Sequence, residues 1–213
     1  MLTLYDYLPS QNAYKVRLLL SHLGRDYRSE LIAIFDGEGQ RPDYLDLNPT
    51  GAVPVLRLAH GGVLAESNAI LFHLARKTRY LPEDAYLQAK VLQWLFFEAD
   101  YVQSTIATLR HWIMTGKAAR RPAELIESKR AGSLKVLGIL EREFARRPFL
   151  VEDAYSIADI SVFAYVHRAE EAELPLTDYP HLCAWIERVS RQDGFLDKTY
   201  PYDIDPHSGR ELP

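Results

Sequence analysis

A Val-Pro bond set between a polar turn and an apolar run constrains this chain more than any other feature. In Asn48-Pro49-Thr50-Gly51-Ala52-Val53-Pro54-Val55-Leu56, Pro54 stands just ahead of the run Val55-Leu56-Arg57-Leu58. Proline at the start of a strand removes no hydrogen bond that the ladder needs. The trans form of an X-Pro bond is favoured by only about 0.5–1 kcal/mol, so a cis bond is accessible here and would turn the N–H and C=O of Val53 toward an extended ligand. Val55 to Leu58, the turn His60-Gly61-Gly62 and Val63-Leu64-Ala65 then read as a hairpin. It delivers the chain to Glu66-Ser67-Asn68-Ala69-Ile70, where Ser67 suits a helix N-cap. A helix start offers N–H groups and a positive dipole end to a carboxylate, and Glu66 beside it suits an ammonium. That pairing fits an amino-acid head group.

A second anchor lies at the amino end. Leu2-Thr3-Leu4-Tyr5-Asp6-Tyr7 alternates as a strand, Leu8-Pro9-Ser10 turns, and the run from Gln11 through Leu23 to Gly24 has helical spacing. Ser10 caps that helix on this reading, from Gln11 or Asn12 onward.

In the order and spacing of these two stretches the chain closely resembles the cytosolic glutathione transferase superfamily, in its bacterial, theta-like, serine-type branch. The resemblance implies an α/β plus all-α architecture: an amino-terminal thioredoxin-like domain (βαβ-ββα) over residues 1–80, then an all-helical domain over residues 85–213 carrying the electrophile site and a tail. It implies that Val53, Pro54, Glu66 and Ser67 hold glutathione as co-substrate, without a metal. A serine at the position of Ser10 donates a hydrogen bond to the glutathione sulfur. Tyr5 and Asn12 are its rivals, at positions where other classes place a tyrosine or an amide. A free thiol has pKa about 8.5. Lowering it by about two units takes roughly 2.7 kcal/mol, within reach of a charge-assisted hydrogen bond plus a helix N-terminus. Gln40 and Arg41 are assigned to the glycine end of glutathione, and Asp100 to its ammonium across a homodimer interface. An interdomain electrophile site draws on Tyr101, Thr105, Leu109, Trp112 and Ile113.

The single cysteine narrows the chemistry. Cys183 falls in Pro180-His181-Leu182-Cys183-Ala184-Trp185-Ile186, an amphipathic segment where an inert thiol is expected. The first turn has no cysteine, which disfavours the omega-like and hydroquinone-reducing mechanisms. Pro9-Ser10-Gln11-Asn12 also departs from the Ser-Ser-Cys turn of maleylacetoacetate isomerases. The remaining readings are conjugation to a small hydrophobic electrophile, glutathione-dependent reduction of peroxides or disulfides, and a binding protein that keeps the fold without turnover.

Composition sets the outer limits. The 213 residues are 47% hydrophobic and 25% charged, enough for two cores. The formal net charge of −4 argues against nucleic acid as a partner. No apolar run approaches the roughly 20 residues that span a bilayer, and Met1-Leu2-Thr3 leads into a strand without a signal pattern. One cysteine fits a reducing compartment, so the expected location is cytoplasmic. The histidines lack metal-ligand spacing.

After Tyr80 the texture turns helical, with Leu81-Pro82-Glu83-Asp84 as linker. Leu87, Val91, Trp94, Leu95, Val102, Ile106 and Leu109 recur at helical steps, predicting one long amphipathic helix from Ala85 to about Met114. A second is expected from Pro122 in its first turn through Leu137, Leu140 and Phe144. Ser156 and Asp159 form a capping box. The tail from Asp197 lacks periodicity and is expected to cover the cleft or a subunit edge.

Overall fold

The computed structural model describes residues 1–212. The chain divides into two compact units, one built from Met1–Leu74 together with the segment from Asp193 onward, the other from Ala75–Gln192. The tail, assigned from sequence to the helical domain, belongs with the first unit.

That first unit is a four-stranded mixed sheet in the order β2-β1-β3-β4, formed by β1 (Leu2–Asp6), β2 (Tyr27–Leu31), β3 (Val55–Arg57) and β4 (Val63–Ala65). β1 and β2 run parallel and are joined through α1 (Gln11–His22), while β3 is antiparallel to both β1 and β4. The hairpin closes at the predicted turn: Leu58 N–H donates to Gly62 O at 2.7 Å, and Gly61 takes φ +93°. A short helix α2 (Pro42–Leu45) and α3 (Ser67–Ala75) complete the unit.

Strand alternation decides which residues meet the helices. On β1, Leu4 and Asp6 share one face, and Asp6 meets α1 through Arg17, whose Nη1 lies 2.6 and 2.7 Å from the two carboxylate oxygens. Both partners are buried. Tyr5 and Tyr7 face the other way, Tyr5 edge-on to Tyr44 of α2 with ring centroids 6.0 Å apart.

The second unit is helical: α4 (Ala85–Phe97), α5 (Thr108–Met114), α6 (Ala123–Phe144), α7 (Ile157–Val166) and α8 (Pro180–Ser190). The single helix predicted over 85–114 is interrupted. Between α4 and α5, Glu98–Ala107 is wound as a π-helix. Thr105 Oγ1 donates to Tyr101 O at 2.6 Å, Thr108 Oγ1 to Gln103 O at 2.8 Å, and Ser104 Oγ to Asp100 O. Hydroxyls that bond back to main-chain carbonyls compete with the α-helical ladder, and three of them are concentrated here. Pro122 sits at the cap of α6, one position outside its first turn.

The core of this unit converges on Asp159. Its carboxylate accepts from Ser156 N–H at 3.1 Å, as the capping box requires, and also from Leu150 N–H and Trp185 Nε1, both at 3.0 Å. Trp185 in turn stacks on Phe144 with centroids 4.4 Å apart. One carboxylate thus joins α7, α8 and the loop before α7. Cys183 donates its thiol to Leu176 O at 3.4 Å, and burial pushes its pKa up. A thiol held protonated is a poor nucleophile. No helix is long and apolar enough to cross a membrane.

Candidate functional site

Ser10 is held by three local devices. Its N–H donates to Tyr7 O at 2.8 Å, closing the turn after β1. Arg17 Nη2 donates to Leu8 O at 2.9 Å, so the buried Asp6 to Arg17 pair pins that turn to α1. The Ser10 Oγ accepts the Ala13 N–H at 3.2 Å, making Ser10 the N-cap of α1. The hydroxyl proton has no acceptor among the described residues. An oxygen that already accepts a hydrogen bond is a stronger donor through its own proton, and this one stands at the positive end of a helix. Capping and donation are served by opposite sides of one oxygen.

The Val53 loop is braced from behind. Asn48 is buried, its Nδ2 donating to Ala52 O at 2.8 Å, and Tyr44 OH donates to the same carbonyl at 2.8 Å. Gly51 takes φ +68° and lies so close to Gly39 that a Cβ on Gly39 would come 2.2 Å from Gly51 O. Only glycines permit this contact. The Val53-Pro54 bond is cis, and the N–H and C=O of Val53 enter no hydrogen bond among the described residues. Main-chain groups on a residue this little exposed ordinarily find partners, so the edge suits another extended backbone.

Ser67 departs from its expected role. The Glu66 carbonyl accepts the Ile70 N–H at 2.9 Å, so Glu66 occupies the cap position and Ser67 is the first residue of α3. The Ser67 hydroxyl turns instead toward α1, where Lys15 Nζ donates to it at 3.3 Å and to Asn12 Oδ1 at 2.9 Å. Ser67 Oγ lies 3.4 Å from the same Asn12 oxygen. Lys15 is fully buried. A lysine on an amphipathic helix reads as a solvated charge, and Lys15 was missed for that reason. Its spacing from Leu18 and Leu19, three and four residues on, is the signal that puts it on the inner face.

Glu66 holds φ 67°, a left-handed conformation that costs a side-chain-bearing residue about 1–2 kcal/mol. Its carboxylate is exposed. Left-handed strain kept by a residue other than glycine points to function. Glu66→Gly is expected to leave the thermal midpoint unchanged or slightly raised while weakening binding of the ligand ammonium about tenfold. A clear loss of stability in differential scanning calorimetry would assign Glu66 to the fold instead.

Other residues read from sequence lie elsewhere. Tyr5 and Arg41 line a pocket of about 360 Å³ with Tyr44, Glu38 and Arg57, which contains neither Ser10 nor Val53. The strand's period of two turns Tyr5 away from the α1 face, and Arg41 forks onto Asp43 at 2.8 and 3.2 Å. Gln40 lies against Gly51, next to the Val53 loop. Asp100 and Tyr101 are exposed and line a groove of about 1060 Å³ with Phe96, Phe97 and Lys135. Leu109 is wholly buried in the helical core, so it is a packing residue and not a ligand contact. Thr105 packs on Gly132 of α6. Trp112 carries the Arg121 guanidinium over its ring at 5.2 Å, and Ile113 beside it is half-buried.

The tail folds back on the first unit. Tyr14 OH donates to Leu196 O at 2.7 Å, Ser21 Oγ to Gly194 O at 2.7 Å, and Tyr7 OH to Asp205 Oδ2 at 2.8 Å. Burial and the Asp205 carboxylate push the Tyr7 hydroxyl pKa up, so Tyr7 stays a neutral donor to the tail. Arg210 and His207 both reach Asp36, at 2.7 and 3.2 Å.

A serine cap at a helix start, a cis-proline edge and a helix beginning with Ser67, set on a four-stranded mixed sheet, define a thioredoxin-like unit. Residues 1–76 match the glutathione S-transferase N-terminal domain and residues 102–193 the glutathione S-transferase C-terminal domain. A solved glutathione S-transferase from Pseudomonas fluorescens is 37% identical, with a TM-score of 0.86, covering 92% of this chain and 97% of its own. The Disulfide-bond oxidoreductase YfcG of Escherichia coli is 29% identical over 89% of this chain and 90% of its own. The glutathione transferase URE2P6 of Phanerochaete chrysosporium, solved in complex with oxidized glutathione, is 27% identical with a TM-score of 0.77, covering 91% and 92%. The chain belongs to the glutathione S-transferase superfamily.

Proposed function

We propose that the protein binds glutathione along the Val53 edge and transfers its thiolate to a small hydrophobic electrophile, with Ser10 as the donor to sulfur. The observation that carries this reading is the Ser10 hydroxyl, which accepts the Ala13 N–H and keeps its own proton for a ligand at the N-terminus of α1. Hydrogen bonding to the charged form lowers a pKa, so bound thiol gives up its proton to solvent near neutral pH. The thiolate then attacks the electrophilic carbon and the leaving group departs with its electron pair. Catalysis comes from holding an ionised nucleophile in place. Val53 pairs with the cysteinyl backbone of glutathione, Ser67 and the first turn of α3 take its glutamyl carboxylate, and Glu66 takes its ammonium. Gln40 is the candidate for the glycyl end. Calorimetric titration with reduced glutathione at neutral pH is expected to show one saturable site per chain at micromolar to millimolar affinity. Absence of heat and of competition would favour a binding protein of other specificity.

A second reading uses the same thiolate on a disulfide: two glutathiones reduce one disulfide to two thiols and leave as oxidized glutathione. Asn12 favours it. Lys15 can only donate, so the Asn12 atom facing it is the carbonyl oxygen, and the amide NH₂ is turned the other way as a donor. Turnover of a model disulfide without conjugation would select this reading.

The groove lined by Phe96, 70% exposed, and Tyr101, 49% exposed, is proposed as the face that a second copy covers, with Asp100 at its rim. Light scattering should then give twice the 24.4 kDa chain mass. A cytoplasmic location, where glutathione is abundant, completes the proposal.

A further inference from the structure

We infer that Lys15 is the positioning residue of the carboxylate subsite, a role that rests on the glutathione reading and deepens it. Its ammonium is fully buried, 2.9 Å from Asn12 Oδ1 and 3.3 Å from Ser67 Oγ. An ammonium carries three donors and no acceptor. Facing Ser67, it occupies a lone pair of the hydroxyl oxygen and leaves the proton to be given elsewhere. The rival acceptor for that proton, Asn12 Oδ1, is at 3.4 Å and already takes the shorter bond from Lys15. A ligand carboxylate arriving at ordinary hydrogen-bond distance outcompetes it.

The second consequence is electrostatic. Ser67 opens α3, a helix of nine residues whose first-turn N–H groups point at the same anion. Lys15 adds its buried side-chain nitrogen behind that turn, where electrostatic interactions are screened less than at the surface. One side chain therefore orients the Ser67 hydroxyl, fixes the Asn12 amide and supplies the counter-charge. The specificity it confers is for a free α-carboxylate on the glutamyl residue.

The test compares reduced glutathione with its analogue in which the glutamyl α-carboxylate is a primary amide. Calorimetry is run on the full chain as wild type, Lys15→Met, Lys15→Gln and Lys15→Arg. Wild type is expected to prefer the acid about 100-fold. Lys15→Met lowers affinity for glutathione about 50-fold, leaves the amide nearly unchanged and so collapses the preference to a few-fold. Lys15→Gln, which keeps hydrogen-bonding capacity toward Asn12 and Ser67 without the charge, gives the same collapse, and Lys15→Arg restores part of the preference. The Gln and Arg variants decide the question if Met does not fold. A preference that survives in folded Lys15→Met or Lys15→Gln overturns the assignment. Wild type that binds neither compound overturns the glutathione reading and this role with it.

Discussion

Replacing Ser10 with alanine lowers kcat/KM for glutathione conjugation about 50-fold at pH 6.5, with the deficit closing as the pH approaches 9. Near neutrality the rate follows the thiolate fraction of bound glutathione. With the Ser10 hydrogen bond supplying most of the roughly 2.7 kcal/mol and the helix N-terminus the rest, its loss returns the thiol by nearly two pKa units toward its free value. Once the thiol ionises unaided, the variant recovers. A fold defect would instead depress the rate by the same factor at every pH. Alanine also removes the α1 cap, at about 1 kcal/mol, so its thermal midpoint should drop by a few degrees. Ser10→Thr keeps both cap and donor and should restore stability and the acidic limb of the profile together. An unchanged pH profile in Ser10→Ala would move the donor role to Asn12.

The largest stability effect is expected at Asp159. Alanine there leaves the N–H groups of Leu150, Ser156 and Trp185 without their acceptor in a closed core. Each buried donor left unpaired costs about 1–3 kcal/mol. A total near 5 kcal/mol corresponds to a fall in thermal midpoint of roughly 10–20 °C.

The effect depends on pH. Burial pushes the Asp159 carboxyl up to about 6, against the four hydrogen bonds that favour its ionised form. The native state thus binds a proton that the unfolded chain, titrating near 4, has released. This contribution to stability is fully present below about pH 4 and is lost as pH rises through 6. The gap between wild type and Asp159→Ala should therefore widen by about 2 kcal/mol between pH 7 and pH 4.5. Wild type alone hides the slope. Burial pushes His167 down to about 4, and a histidine kept neutral in the native state loses stability over nearly the same acid range. Urea unfolding of both proteins at the two pH values separates the terms. A gap that narrows toward acid would show the four donors outweighing burial.

What the sequence disclosed was local. Proline before an apolar run, glycines at a hairpin turn, a serine before a helix and a Ser156/Asp159 box each specify geometry within a few residues. All four are found in the structure. What it concealed depends on chain segments far apart in sequence. The face of Tyr5 is set by the packing of α2, and Arg41 is claimed by Asp43. The tail docks on α1 and on the turn after β1 through carbonyls and a carboxylate, which leave no periodic trace. The long helix was legible in its apolar steps but not in its winding, because the hydroxyls that compete for its carbonyls are common in ordinary helices. Asp159 shows the same division: the box was visible, yet its bonds to Leu150 and Trp185 were not, and they raise the expected cost of losing it well above that of a cap.

The central claim is that this site holds glutathione as a thiolate, and ultraviolet difference titration of the glutathione complex reads it directly through thiolate absorbance. The account predicts a bound thiol with pKa near 6.5, about two units below the free value, and a return toward the free value in Ser10→Ala. Saturable binding with a thiol that titrates at its free value in wild type would contradict it.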